Sequence, residues 1–262
     1  QTIIGALSLQ TKELDSLPTA NYSVVRVKEE VFEKSYIGGI VTAKNAGGHY
    51  NYVYGADFKY VTSEFFGTQK NLNIFGSIAQ SITEGNSDKK NLAYRCQLLY
   101  PNEDIRAEAF FGTIQDGFNP EIGFLRRKNM RMFAGNFRYR LRNELVPGVR
   151  YFDIKPIDLA YYWKENSTEL EFADFNWALL SLATTGGDAF NAAIHRSYEL
   201  VADTARIAND KILVLPAKYW QTQYNLSFDT FEGRNWVGNF AIAYQDFYGG
   251  NMKSLSSSLK YY

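Results

Sequence analysis

The chain is poor in the residues that usually announce chemistry. Of 262 residues one is cysteine and two are histidine, with 28 Lys and Arg balanced by 28 Asp and Glu. A lone thiol excludes a disulfide framework and a Cys-x-x-Cys site, and His49 and His195 are too scattered for metal-ligand spacing, so no structural metal and no cofactor is expected. Zero formal charge gives no global field to gather nucleic acid, and the basic stretch Arg126, Arg127, Lys128, Arg131 has no binding motif beside it. No apolar run approaches ~18 residues, which removes a transmembrane helix but leaves a membrane barrel open. Gly-x-Ser-x-Gly, His-Glu-x-x-His, Walker and Gly-x-Gly-x-x-Gly motifs are all missing. Glu103 and Asp104 suit a turn, and Glu169 and Glu171, two apart on a strand, are same-face neighbours whose spacing specifies no chemistry. The expectation is a protein that is not an enzyme, with a glycoside-active domain as the alternative.

What is plentiful is aromatic surface, 4 Trp, 19 Tyr and 19 Phe. It recurs with a period of two, the period of a strand, whose successive side chains point to opposite faces. Tyr50, Tyr52, Tyr54, Ala56, Phe58 and Tyr60 alternate with Asn51, Gly55, Asp57 and Lys59. Leu72, Ile74, Gly76 and Ile78 oppose Asn71, Asn73 and Ser77, while Leu92, Tyr94, Cys96 and Leu98 oppose Asn91, Arg95 and Gln97. Phe133, Phe137, Tyr139 and Leu141 oppose Asn136, Arg138, Arg140 and Arg142. Cys96, inside such a run, is assigned to packing.

This reading predicts an all-β, antiparallel meander of about 14 strands. They fall near 2–10, 22–30, 36–44, 49–60, 71–83, 91–100, 105–115, 130–142, 149–163, 169–182, 188–200, 217–230, 236–247 and 252–262. Alanines at 189, 192, 193, 202, 205 and 208 would also tolerate a helix over 188–215, but 188–200 is kept as strand. Turn chemistry separates the strands at Asn45-Ala46-Gly47-Gly48, Gly85-Asn86-Ser87-Asp88, Pro101-Asn102-Glu103-Asp104, Pro147-Gly148, Gly186-Gly187-Asp188 and Gly249-Gly250-Asn251. Several strands exceed the roughly 5–6 residues of ordinary sheets and reach the ~9–11 that a tilted membrane strand needs.

Alternation of this kind fits a soluble sandwich or a membrane barrel, and edge closure favours the barrel. Aromatics at strand ends, such as Tyr50, Tyr60, Tyr100, Tyr151, Tyr161, Tyr244 and Tyr261, would then form interfacial girdles. A midplane Arg facing lipid costs about 2–4 kcal/mol, so Arg138, Arg140 and Arg142 should face the interior. Arg26, Lys28, Glu169 and Glu171 are assigned to the same polar side. The longest connections, 11–21, 116–129 and 201–216, share one parity and are assigned outward, although 61–70 is moderately long with the other parity. On the 116–129 loop, Phe118, Phe124, Arg126 and Arg127 are candidates for contacting a partner.

Several stretches, in order, resemble a known family: Asn21-Tyr22-Ser23-Val24-Val25-Arg26-Val27, Ser35-Tyr36-Ile37-Gly38, Tyr54-Gly55-Ala56-Asp57, and Gly117-Phe118-Asn119-Pro120-Glu121-Ile122-Gly123-Phe124-Leu125-Arg126-Arg127. Leu215-Pro216-Ala217-Lys218-Tyr219 and Asp246-Phe247-Tyr248-Gly249-Gly250 follow. Together they resemble the Bacteroidota family called domain of unknown function 5916. The resemblance implies an outer-membrane β-barrel, commonly downstream of a carbohydrate-binding family 9-like domain, with no catalytic residues to carry across. It also implies that residues 1–262 are one barrel domain, an internal portion of a longer protein. Asp15-Ser16-Leu17 and Asp203-Thr204-Ala205 match the O-glycosylation pattern of that phylum, at Ser16 and Thr204. Asn166-Ser167-Thr168 fits the eukaryotic N-glycosylation acceptor less aptly.

The expected function is solute passage or surface presentation in the bacterial outer membrane, with a saccharide link by family analogy alone. The lipid bilayer is the expected partner, with a surface lipoprotein, another outer-membrane protein or a saccharide as further candidates. A plugged surface scaffold that docks a partner protein is the first alternative. A soluble carbohydrate-binding or carbohydrate-active domain is the second.

Overall fold

β-branched and aromatic side chains at every second position favour the pleated backbone, where they pack against cross-strand neighbours. The computed structural model describes residues 1–13, 18–86, 90–142, 146–207, 209 and 212–262. The period of two is realised as β1 (Thr2–Thr11), β2 (Ala20–Val31), β3 (Ser35–Ala46), β4 (His49–Thr62), β5 (Leu72–Thr83), β6 (Leu92–Pro101), β7 (Ile105–Ile114) and β8 (Met130–Arg142). It continues through β9 (Val149–Lys164), β10 (Leu170–Thr184), β11 (Ala189–Val201), β14 (Ala217–Asp229), β15 (Trp236–Phe247) and β16 (Gly250–Tyr261). These form one 14-stranded antiparallel meander in chain order. A separate two-stranded ribbon, β12 (Ala205–Ile207) and β13 (Ile212–Val214), rises from the connection between β11 and β14. Periodicity did not anticipate that ribbon, because three-residue strands are too short to show a period. The first part of the alanine-rich stretch, Ala189–Val201, is strand: β11 pairs with β10 on one side and β14 on the other.

The chain forms two compact units, Gln1–Pro101 with Ala109–Phe133 and Trp163–Glu169, and Asn102–Glu108 with Ala134–Tyr162 and Leu170–Tyr262. Within the first, the register carries one face from strand to strand: Val27 lies opposite Gly39, Gly39 opposite Ala56, Ala56 opposite Ile78, and Ile78 opposite Tyr94. Ile37, Val41, Tyr54, Phe58 and Tyr60 share that face and are exposed. The reverse face carries Arg26, Lys44, Asn51, Asp57, Ser77, Ser81 and Arg95. In the second unit Ile194, Tyr224 and Tyr244 lie in one row, and Leu226, Ile242 and Leu255 in another. Trp220, Tyr224, Leu226, Phe228, Phe240 and Ile242 on that face are exposed, and His195, Gln221, Gln223, Asn225 and Gln245 occupy the other.

Burial is therefore inverted relative to a water-soluble sheet. Among the described residues, Val53, Leu72, Phe118, Tyr198 and Val214 are the only buried apolar side chains larger than alanine, and the largest fully buried side chains are Asn51, Thr113 and Ser81. A large apolar side chain left in water forgoes about 1.5–3 kcal/mol relative to full burial. A dozen left half-exposed would cost on the order of 10 kcal/mol, which is the whole stability of an ordinary domain.

Hairpin geometry fixes the register. Gly47 and Gly48, with φ of 55° and 87°, make the two-residue turn between β3 and β4 that requires positive φ at both positions. Between β15 and β16 the turn is Tyr248-Gly249, φ 44° and 88°, one residue earlier than the Gly249-Gly250 reading. Tyr248 accepts the left-handed conformation because its ring is held by Tyr219, at 5.0 Å, and its hydroxyl donates to Glu199 at 2.6 Å.

Close approach makes Gly76 critical on the apolar face. A Cβ there would meet the Phe58 ring at 2.3 Å, whereas a Cβ at Gly5 meets nothing within 4 Å. Gly76→Ala is expected to lower the denaturant midpoint by an amount equivalent to about 1–3 kcal/mol, and Gly5→Ala to leave it within about 0.5 kcal/mol. Equal midpoints for the two variants would show that the Phe58 ring does not rest on the Gly76 backbone.

Candidate functional site

The polar face of the first unit is organised by an ion pair that spans a strand. Arg26 on β2 reaches over β3 to Asp57 on β4, with Nη1 and Nη2 donating to the two carboxylate oxygens at 2.5 and 2.8 Å. The reach is possible because Gly38 lies between them: a Cβ there would fall 2.8 Å from Arg26 Nη2. On β6, Arg95 donates from Nε to Ser77 Oγ at 3.2 Å and lies over the Phe75 ring. Lys28 covers the Tyr36 ring at 4.5 Å.

Residues 117–123 of the β7–β8 connection fold back onto this face. Asn51 on β4, fully buried, donates from Nδ2 to the Asn119 carbonyl and to Thr83 Oγ1, each at 2.7 Å, and accepts the Glu121 N–H at Oδ1, 3.1 Å. The Asn119 N–H donates to Ser81 Oγ on β5 at 2.9 Å. Glu121 accepts from Lys44 Nζ on β3 at 2.8 Å, and its other oxygen lies 2.9 Å from His49 Nε2 on β4. Glu84 lies 3.8 Å beyond, on His49 Nδ1, and Lys128 donates to Asn119 Oδ1 at 3.5 Å. Burial alone would disfavour the Glu121 carboxylate, but the hydrogen bonds and positive charge of Lys44 and His49 outweigh it and hold its pKa below the usual carboxylate range.

In the second unit Arg140 on β8 makes a bidentate pair with Asp153 on β9 at 2.7 and 2.8 Å, stacked 3.8 Å over Tyr151. Arg138 donates to the Glu103 carbonyl at 2.9 Å, and Arg142 pairs with the Glu103 carboxylate near the surface. His195 Nε2 lies 2.6 Å from Asp174 Oδ2. Neutral amides also lie on this polar face: Gln223 donates to Asn225 at 2.8 Å and Gln245 to Gln221 at 3.5 Å.

Arg26, Lys28, Arg138, Arg140 and Arg142 thus occupy polar faces as their spacing requires. Glu171 does not: it has the parity of Ala173, Phe175 and Trp177, the apolar side, and sits one residue inside β10, near the strand's end. Glu169 precedes β10 and pairs with Lys164 at 2.7 Å. Phe118, expected on an outward loop, is buried and unavailable to a partner, whereas Phe124, Arg126 and Arg127 are exposed. Cys96 is exposed on the apolar face rather than packed in a core. Thr204 is exposed just before β12, and Ser16 lies outside the described residues. The residues that sequence reasoning missed are Asp57, Asp153, Asn51, Lys44 and Glu121, which become partners only through register or loop folding.

No protein-family model matches the chain. No curated protein matches it either, so the functional argument rests on its own residues and geometry.

Two outcomes follow from the pairing geometry. Asp153 is nearly buried, so Asp153→Ala should cost about 3–5 kcal/mol by stranding Arg140, while Arg142→Ala, at an exposed pair, should cost less than about 1 kcal/mol. Denaturant midpoints of the two variants test this. Because Glu121 titrates lower when docked than when free, its contribution is complete above the ordinary value of 4.5 and is lost as pH falls through the docked value. Amide exchange at Asn119 and Glu121 should therefore stay protected at neutral pH and lose protection only in acid. Equal protection on both sides of that range would show that the carboxylate does not hold the segment.

Proposed function

We propose that the meander closes into a bacterial outer-membrane β-barrel whose apolar face meets lipid and whose polar face lines an aqueous interior that passes small hydroxylated solutes. The observation that carries this reading is the inversion of burial, in which Phe58, Tyr54, Leu226 and Ile242 are exposed while Asn51, Ser81, Asp153 and Gln221 are covered. Strand length supports it. A band ~25 Å tall crossed at about 45° needs roughly 35 Å of strand, or about 11 residues, and the sheet strands run from 10 to 16. Aromatic pairs near strand ends, such as Tyr50 with Tyr52 and Trp236 with Tyr261, suit an interfacial girdle.

The edges point the same way. Every residue of β1 and of β16 is exposed, and each strand is bonded on one side only. Long unpaired edges invite aggregation, and with an even number of strands closure would join these two antiparallel, the pairing a barrel uses. The solute class follows from the lining. Arg26, Arg140 and Glu121 are each neutralised by a partner, and the amides of Gln221, Gln223, Asn225 and Gln245 remain to exchange hydrogen bonds with neutral hydroxyl-rich molecules.

Two measurements test the reading. Ile242→Lys or Leu226→Lys should destabilise the detergent-folded protein by about 2–4 kcal/mol, and Gln223→Lys on the opposite face by much less. The protein should also remain monodisperse only with detergent and raise the permeability of liposomes to small neutral saccharides. A lysine scan in which both faces respond alike, together with monodisperse behaviour in plain buffer, would replace the barrel with a soluble sheet.

A further inference from the structure

Resting on that reading, we infer that residues 117–123 are an internal stopper that narrows the passage, latched to the wall by Glu121 and seated in a receptor built around Asn51. The β7–β8 connection has ample length to extend into water, yet it turns onto the polar face of β3, β4 and β5. Its seat is specific. One carboxamide, that of Asn51, donates to the carbonyl of residue 119 and accepts from the amide of residue 121, the pair of bonds that a neighbouring strand would make. Ser81 takes the amide of residue 119, so the backbone at residues 119 and 121 is read at three points by two side chains of the sheet, while Gly117 is bonded at its N–H to the Lys90 carbonyl and at its carbonyl by Asn86 Nδ2.

The fastening differs in kind from the sheet around it. Beyond Gly117, whose backbone is tied to Lys90 and Asn86, it uses side-chain hydrogen bonds, an ion pair to Lys44, a contact with His49 and one buried ring, Phe118, with no disulfide and no strand of its own. Hydrogen bonds and charges of this kind can open without disturbing the ladders of β3–β5. Lys44 is three-quarters covered, and with Glu121 detached it would face the interior unpaired, adding a positive charge to the passage. Glu121 and Asn51 are thus positioning residues that set both the width and the charge of the path.

The experiment uses the full chain with Cys96→Ser and a probe thiol at Val53→Cys. Val53 is buried on the same face, between Asn51 and Gly55 and opposite Ser81. Labelling by a membrane-impermeant maleimide and saccharide flux into liposomes are read with and without Glu121→Ala, and separately with Asn51→Ala. Release of the segment should speed labelling by at least about tenfold, the factor expected from losing hydrogen bonds to a charged group, and should raise flux. A disulfide engineered between Ser81→Cys and Asn119→Cys, in chains without the probe thiol, should restore the lower flux in the Glu121→Ala background until it is reduced. Faster labelling with no flux in any variant would leave the seat intact and sink the passage reading. Flux that is present but identical in all variants, with labelling unchanged, would overturn the stopper and leave the passage reading standing.

Discussion

A sheet that leaves the apolar side chains of one face exposed places a strict demand on its other face: a polar group covered there needs a partner inside the protein. An unmatched buried donor or acceptor costs about 1–3 kcal/mol, and a few of them would cancel the net stability of a domain. Four of the covered side chains meet that demand, whereas the buried Thr113 Oγ1 makes no hydrogen bond. Asn51 makes three hydrogen bonds, Ser81 is held by the Asn119 amide, Asp153 takes both arms of Arg140, and Gln221 accepts from Gln245. Partner geometry on this face, more than apolar packing, decides where each strand must sit.

That demand explains why glycine is used where it is. Gly38 leaves space for the Arg26 guanidinium to cross β3 to Asp57, and Gly76 gives the Phe58 ring a flat backbone to lie on. One clears space for charge on the polar face and the other for an aromatic ring on the apolar face. The separate stretches noted in the sequence come together through such contacts. Arg26, Gly38 and Asp57 belong to three of them, and Tyr219 and Tyr248, whose rings are 5.0 Å apart, to two more.

How much of this could be read from residue order depends on the range of the interaction. The alternation of Tyr50 to Tyr60 with Asn51 to Lys59 is a local signal, and it locates β4 to within two residues. The charged parity of Arg138, Arg140 and Arg142 is equally local, and it places all three on one face. Asp57 is 31 residues from Arg26, and Glu121 is 77 from Lys44, so no period or spacing links them. Glu171 misled because its charge was weighed without the parity of Phe175 and Trp177, which decides the face. Phe118 misled because a long connection between two strands was read as leaving the sheet, whereas the hydrogen-bonding capacity of Asn51 and Ser81 draws it back.

The position of that connection bears on why charge, and not apolar packing, fastens it. The wall beneath residues 117–123 offers Lys44, His49, Asn51, Ser81 and Thr83, so an apolar segment laid there would strand their polar groups and pay the desolvation cost without return. A segment carrying a carboxylate and free backbone amides satisfies them. Phe118 adds one buried ring, and the exposed Phe124, Arg126 and Arg127 lie beyond the seat. The composition of the segment is therefore the complement of the face it covers, and the polar groups of that face determine what can lie on it.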